Sequence, residues 1–254
     1  MTPPNSDICV FPDAPALTQG AAEHVIQQAC LAIDTRGRFT IALAGGSTPK
    51  SLYALLASLE YRTRLEWEKI EFFWGDERHV PPNHAESNYR MAYEAMLSPL
   101  TIPEKQIHRM QGELPEAQEA ADRYEGLLRT RLGQSDSPIP QLDLVLLGMG
   151  PDGHTASLFP GTDAVHESTR LVAAPWVGKF QTFRITLTPA LINEANQITF
   201  LVNGEGKAEV LRSVLEGPFH PDQLPSQVIN PTSGHLTWLI DREAARDLST
   251  CSSC

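Results

Sequence analysis

Short apolar runs alternate with longer stretches of helical spacing along most of this chain, and that alternation limits the folds open to it more than any other feature. The runs lie at residues 39–44, 70–74, 142–147, 198–202 and 235–240, each of strand length and bounded by turn residues. The helical stretches are 14–33, 49–59, 87–97, 116–132 and 207–215, with a short one at 242–248. Strands that stay apolar throughout need cover on both faces, so the pattern predicts an α/β fold, a mainly parallel sheet with helices on both faces. Residues 184–187 alternate polar and apolar and run into Thr188-Pro189, a helix start, which fits an added edge strand.

The 254 residues hold no repeat and no low-complexity block, so they read as one domain over 1–254 with 1–8 and 249–254 as flexible tails. The stretch GQSDSPIPQ at 133–141 reads as a surface loop within it. A net charge of −11 without any Lys/Arg-rich run argues against nucleic acid and anionic membrane as partners. No apolar stretch is long enough to span a bilayer and no secretory signal opens the chain, so a cytoplasmic location is expected. Of the four cysteines, Cys251 and Cys254 form a C-x-x-C pair. Zinc or redox chemistry needs such a pair in a structured context, and on a Ser-rich terminus it reads as part of the tail.

Open parallel sheets bind ligands beyond the carboxyl ends of their strands. There the run 39–44 leads into Gly45-Gly46-Ser47-Thr48-Pro49, and 70–74 into Gly75-Asp76-Glu77-Arg78-His79-Val80-Pro81. The run 142–147 leads into Gly148-Met149-Gly150-Pro151-Asp152-Gly153-His154-Thr155. Gly45 and Gly46 permit close backbone approach, Ser47 or Thr48 suits a helix cap, and Pro49 suits the first helical turn. Such a turn either simply starts a helix or cradles a phosphate on free N–H groups at the positive helix end. No Gly-Lys-Ser/Thr follows at P-loop spacing and no spaced G-x-G-x-x-G occurs, so a nucleotide cofactor is not indicated.

The three glycines around Asp152 and His154 place both at a strand's mouth, where a histidine titrates near neutrality and suits general-base work. His24, His108, His166, His220 and His235 lack that context and read as surface or core residues. His79 and His84 share a loop, but no third ligand stands at metal-site spacing, so no metal is expected. Four cations are candidates for binding an anion: Arg78, Lys179, Arg184, and Lys207 within Asn203-Gly204-Glu205-Gly206-Lys207-Ala208. Singly each reads as a solvated charge; their shared position near strand ends makes them candidate phosphate ligands.

Together, AGGSTP at 44–49, GDERHVP at 75–81 followed by Ser87-Asn88, GMGPDGHTASLFPG at 148–161, RITLTP at 184–189, NGEGKAEVL at 203–211 and HLTWLIDREAA at 235–245 resemble the 6-phosphogluconolactonase family. The likeness runs over nearly the whole chain. GGSTP is shared with other sugar-phosphate enzymes, whereas DERHVP and DGHTASLFPG together are specific. The resemblance implies a fold of the glucosamine-phosphate deaminase and ribose-phosphate isomerase type. It implies hydrolysis of a phosphorylated sugar lactone, 6-phospho-D-glucono-1,5-lactone, in the oxidative pentose phosphate pathway, without a metal or organic cofactor. The partner is then a small molecule, and a monomer or weak homodimer is expected. Position by position, the family's DGH histidine and aspartate fall on His154 and Asp152, and the arginine of its D-E-R block falls on Arg78. Its R-I-T arginine falls on Arg184 and its G-K-A lysine on Lys207, while His79 falls where the family varies.

A lactone is an activated ester, so water attack needs a base and a donor to the carbonyl oxygen. His154 fits the first role; Arg78 or backbone N–H groups of the glycine turn fit the second. Asp152 either orients His154 or binds substrate hydroxyls, and Asp152 and Glu77 are the next candidates for the base. Ser157 is not in a G-x-S-x-G elbow, so direct attack by water is expected rather than an acyl-enzyme. The alternatives are a sugar-phosphate isomerase or deaminase of the same fold and a non-catalytic sugar-phosphate sensor. Deaminases carry an Asn-Glu pair where this chain has Ala156-Ser157-Leu158-Phe159, and sensors usually add a helix-turn-helix domain for which this chain has no room.

Overall fold

In a computed structural model that describes residues 6–133 and 139–249, the apolar runs form one large sheet with a smaller sheet joined to it. The strands among these residues are β1 (Ser6–Phe11), β2 (Phe39–Leu43), β3 (Ile70–Trp74), β4 (Asp76–Arg78), β5 (Leu144–Leu147), β6 (Val172–Ala173), β7 (Trp176–Val177), β8 (Thr182–Leu187), β9 (Gln197–Val202) and β10 (His235–Asp241). The α-helices are α1 (Ala14–Arg36), α2 (Ser47–Leu56), α3 (Asn88–Ala92), α4 (Ala117–Leu132), α5 (Pro189–Ile192) and α6 (Ala208–Glu216).

The large sheet runs β1-β10-β9-β5-β2-β3 with every neighbouring pair parallel. Every residue of β2, β5 and β9 is buried, which is why their sequences do not alternate. In the register of β10 on β9, Trp238 lies opposite Phe200, and their rings stack with centroids 3.8 Å apart. The 23-residue helix α1 starts where the Asp13 carboxylate accepts from Ala16 N at 2.8 Å and stops at Gly37, whose φ of 73° suits glycine. It packs on β1, β2, β10 and α2.

From β2 the chain moves outward to β3, whereas β5 lies on β2's other side and leads to β9. That reversal opens a crevice at the carboxyl ends of β2, β5 and β9. The smaller sheet is antiparallel, in the order β4-β8-β6, with β7 also paired to β8. It hangs from the large sheet where Leu187 N donates to Gly75 O at 2.8 Å.

Several expectations change. Residues 6–8 are not a flexible tail: they begin β1, whose parallel register with β10 pairs Ser6 with Leu236 and Ile8 with Trp238. Residues 184–187 belong to the middle strand of the second sheet and not to an edge of the first. Residues 242–247 form turns and no helix: after Ala245 N donates to Asp241 O at 3.0 Å, Arg246 N and Leu248 N reach only three residues back, to Glu243 O at 3.4 Å and Ala245 O at 3.0 Å. Residues 134–138 of the expected surface loop and the CSSC pair, Cys251 and Cys254, lie outside the described residues.

Candidate active site

The crevice is a cleft of about 600 Å³, lined by the loops after β2, β5 and β9 and by β4, β8 and the β7–β8 turn. The loop after β5 is folded back on itself. Gly150 N donates to His154 O at 2.8 Å, Gly153 N to Gly150 O at 3.1 Å, and Thr155 Oγ1 to Gly148 O at 2.8 Å. Only glycine fits at 150, because a Cβ there would stand 2.0 Å from His154 Nδ1 and 2.7 Å from Asp152 Oδ1.

This turn presses Asp152 against His154. The Nδ1–H of His154 donates to Asp152 Oδ1, and the imidazole stacks on Phe159 with centroids 4.1 Å apart. With the proton held at Nδ1, the lone pair sits on Nε2, for which no protein partner occurs among the described residues. His154 lines the cleft. The other oxygen of Asp152 accepts from Lys179 Nζ at 2.9 Å. Burial pushes the Asp152 carboxyl up, but the hydrogen bonds from Lys179 and His154 outweigh it and hold the group at about 2. Asp152 is therefore a carboxylate of low basicity with both oxygens engaged.

At the end of β2 the phosphate-type turn starts α2 differently from expectation. Neither Ser47 nor Thr48 is the cap: Gly46 occupies that place with φ 103°, Ser47 is already helical, and no side chain caps the helix. Thr48 Oγ1 donates instead to Asn203 Oδ1 at 2.5 Å, tying the loop after β2 to the loop after β9. Gly45, Gly46, Ser47 and Thr48 all line the cleft. Gly45 is closed to any side chain because a Cβ there would lie 2.1 Å from Asn88 Oδ1.

Arg78 and Arg184 also line the cleft, and they are cross-strand partners in the register of β4 on β8. Like charges placed opposite each other destabilise a sheet. Burial first, and then the charge of Arg78, hold Arg184 below the usual guanidinium range. Arg78 Nη1 donates to the carbonyl of Glu86, and Arg184 lies 5.2 Å from the centroid of the Phe180 ring. Lys207 completes the set, with burial as the main cause of its lowered pKa. Among the described ion pairs none involves Arg78, Arg184 or Lys207, so three cations face the cleft without a direct salt bridge, with Asp76 and Glu86 the carboxylates that share its lining. An anionic ligand supplies what they lack.

Two acidic residues of β4 do other work. Glu77 is buried and accepts from Arg78 N, Ser87 Oγ, Asn88 N and Tyr89 N, so its oxygens are committed to the start of α3. Asp76, to which the sequence reading gave no role, is buried between Ser157 Oγ at 2.7 Å and Asn88 Nδ2 at 3.1 Å and lines the cleft. Ser157 is thus a donor to a carboxylate, with no hydrogen bond to a histidine. Asp76, Asn88, Phe159 and Phe180 went unassigned; the block GDERHVP with Ser87-Asn88 was the available signal for the first two. His79 points away to Leu114 O at 2.6 Å, and His84 Nδ1 accepts from Glu86 N at 3.2 Å. No group of three metal-ligating side chains occurs among the described residues.

A parallel α/β sheet whose carboxyl edge presents a carboxylate-oriented histidine beside three cations defines the class, an α/β protein with a polar cleft at the sheet's reversal point. The family model for glucosamine-6-phosphate isomerases/6-phosphogluconolactonase matches residues 12–238, and the chain belongs to that family. The 6-phosphogluconolactonase of Synechocystis sp. is 44% identical over 217 residues, covering 85% of this chain and 88% of that protein. The structure of 6-phosphogluconolactonase from Trypanosoma cruzi superposes with a TM-score of 0.86 at 32% identity, covering 98% of this chain and 99% of that one. A monomeric glucosamine-6-phosphate deaminase, at 22% identity and TM-score 0.77 over 97% of this chain and 100% of that one, shares the fold.

Proposed function

We propose that this protein hydrolyses 6-phospho-D-glucono-1,5-lactone to 6-phosphogluconate, the second step of the oxidative pentose phosphate pathway. The observation that carries the reading is His154, with Nδ1 tied to Asp152 and Nε2 left for the cleft. Nε2 takes a proton from water as the oxygen bonds to the lactone carbonyl carbon. The C–O bond to the ring oxygen then breaks, the imidazolium returns its proton to that oxygen, and the new carboxylic acid ionises. Gly150 N–H is engaged by His154 O and Gly153 N–H by Gly150 O, and we assign Arg78, which lines the cleft, as the donor to the carbonyl oxygen. One of its N–H groups is held by the Glu86 carbonyl, and among the described residues the others have no side-chain or carbonyl acceptor to give up. The α2 N-terminus, Arg184 and Lys207 hold the phosphate.

Glu77 and Asp152 are set aside as bases, the first because four donors occupy it and the second because His154 and Lys179 take one oxygen each and make it a very weak base. The protein acts on a free small molecule in the cytoplasm, as a monomer or weak homodimer, without nucleic acid or membrane. No helix among the described residues is long and apolar enough to cross a membrane. The test is acid release from freshly made 6-phosphogluconolactone with and without the protein, corrected for spontaneous opening. Glucosamine-6-phosphate serves as the control; release of ammonia from it, without lactone opening, would replace this reading by deamination.

A further inference from the structure

We propose that Lys179 is a positioning residue for the His154–Asp152 pair: from the turn between β7 and β8 its ammonium holds the second oxygen of Asp152 and so fixes the carboxylate that orients the imidazole. The inference rests on the reading of His154 as the base. Asp152 uses one oxygen for His154 Nδ1 and the other for Lys179 Nζ, at 2.9 Å, so its carboxylate is pinned at both ends. The hairpin reaches the imidazole by a second route as well. Phe180 meets Phe159 edge-on with centroids 5.6 Å apart, and Phe159 carries the His154 ring. Lys179 Nζ itself lies 5.5 Å from the centroid of the Phe180 ring.

The turn is built to hold this position. Trp176 pairs with Phe183 and Val177 with Thr182, Phe180 N donates to Val177 O at 3.0 Å, and Gln181 Nε2 donates to Gly178 O at 2.7 Å. Gln181 adopts φ 51°, a left-handed backbone that an L side chain rarely takes and that the hairpin enforces. Lys179 is half-exposed, and an ion pair in that setting contributes little to folding. Its consequence lies in orientation. The charged groups around the pair are Lys207, which feels both Asp152 and Lys179, and Arg78, Arg184, Asp76 and Glu86, which line or face the same cleft.

The competing role for Lys179 is direct contact with the substrate phosphate, and the two separate cleanly. Lys179→Met should lower kcat about tenfold, while the affinity for 6-phosphogluconate changes less than about threefold and the melting temperature hardly moves. Without the ammonium, the full Asp152 charge acts on the imidazole and favours its protonated form. The midpoint of the acid limb of kcat/KM should then rise by roughly half to one pH unit, a change that a merely structural role would not produce. Lys179→Arg should restore both kcat and the acid limb, and in an Asp152→Asn background Lys179→Met should add nothing. A loss of product affinity of tenfold or more with kcat and acid limb unchanged would make Lys179 a phosphate ligand and overturn the proposal, as would no change in any readout. If Lys179→Met folds poorly, Lys179→Gln carries the same expectations. His154→Ala keeps the two failures apart: near-normal rate in it sinks the base assignment, whereas its inactivity beside an unaffected Lys179→Met sinks only the role of Lys179.

Discussion

The large parallel sheet and the small antiparallel one bring different things to the cleft. The first ends in loops, and through them it supplies His154, the proposed base, the Gly45–Ser47 turn with the start of α2, and Lys207 after β9. The second supplies side chains from strand faces and a hairpin turn: Arg78 on β4, Arg184 on β8, and Lys179 and Phe180 between β7 and β8. Parallel strands buried on both faces have no room for function along their length, so chemistry gathers at their ends. The half-buried antiparallel strands can carry two arginines on one face, at the cost of placing like charges opposite each other. In the proposed reading the first sheet brings the base, the second adds Arg78 at the reacting carbonyl, and the phosphate is held from both.

The sharpest way to break that arrangement is at His154. His154→Ala or His154→Asn should lower kcat by about 10² to 10⁴, equivalent to roughly 3 to 5 kcal/mol of transition-state stabilisation. Titration with 6-phosphogluconate should still show binding, because the cations and the α2 N-terminus are untouched. A variant with near-normal kcat would move the chemistry elsewhere.

The counterpart on the small sheet is Arg184→Ala. Losing one charge-assisted contact to phosphate costs roughly 1.5 to 3 kcal/mol, so kcat/KM for the phosphorylated lactone should fall about ten- to a hundredfold. The slow reaction of unphosphorylated gluconolactone should hardly change. Equal losses on both lactones would show that Arg184 acts on the reacting carbonyl beside Arg78 and not on the phosphate.

Legibility in the sequence follows the same line. The runs 39–44, 70–74, 142–147, 198–202 and 235–240 announced β2, β3, β5, β9 and β10 to within about two residues, because burial on both faces leaves an uninterrupted apolar signal. The small sheet left almost none. Asp76-Glu77-Arg78 is too short and too charged to read as a strand, and β6 and β7 have two residues each. Their pairing is set by partners far away in sequence. Of the site, His154, Asp152, Arg78, Arg184 and Lys207 were legible from motif position, and all five lie at the cleft or in contact with a residue that lines it. The helix cap was misplaced because Gly46, at φ 103°, takes a backbone conformation in which glycine can stand in for a capping side chain. Asp76 was missed because its partners Asn88 and Ser157 are 12 and 81 residues away.

Ser157 is the stitch between the two sheets. On the loop after β5, its N–H donates to Thr186 Oγ1 of β8 at 3.2 Å and its Oγ to Asp76 Oδ2 of β4 at 2.7 Å. Ser157→Ala leaves a buried carboxylate oxygen without that donor, which should cost roughly 1.5 to 3 kcal/mol of stability. Chemical denaturation read by tryptophan fluorescence would measure it. The kcat of the folded protein should stay within a fewfold of normal. A loss as deep as that of His154→Ala would instead make Ser157 a covalent nucleophile, and a burst of acyl-enzyme in the parent protein would then be detectable.

The smallest expected effect concerns the two phosphate-side cations, one from each sheet. Arg184 is held below the usual guanidinium range by burial first, yet a guanidinium ordinarily keeps its charge far beyond the lysine range. Lys207 does not, because burial, helped by Lys179 and opposed by Asp152, holds its ammonium below the ordinary lysine range. The sign follows directly. A lysine with a lowered pKa is charged at neutral pH and loses its proton at a less alkaline pH than usual, so one positive charge leaves the cleft as pH rises. Bound phosphate stabilises the ammonium, so binding takes up that proton at alkaline pH, and affinity can fall by at most about tenfold per pH unit. Affinity for 6-phosphogluconate, followed calorimetrically, should therefore weaken severalfold as pH rises from neutral into the alkaline range, with the phosphate a dianion throughout. Lys207→Arg should flatten that slope, whereas Arg184→Ala should weaken binding at every pH and leave the slope in place. A slope that disappears with Arg184 and survives Lys207→Arg would assign the titrating charge to the wrong sheet.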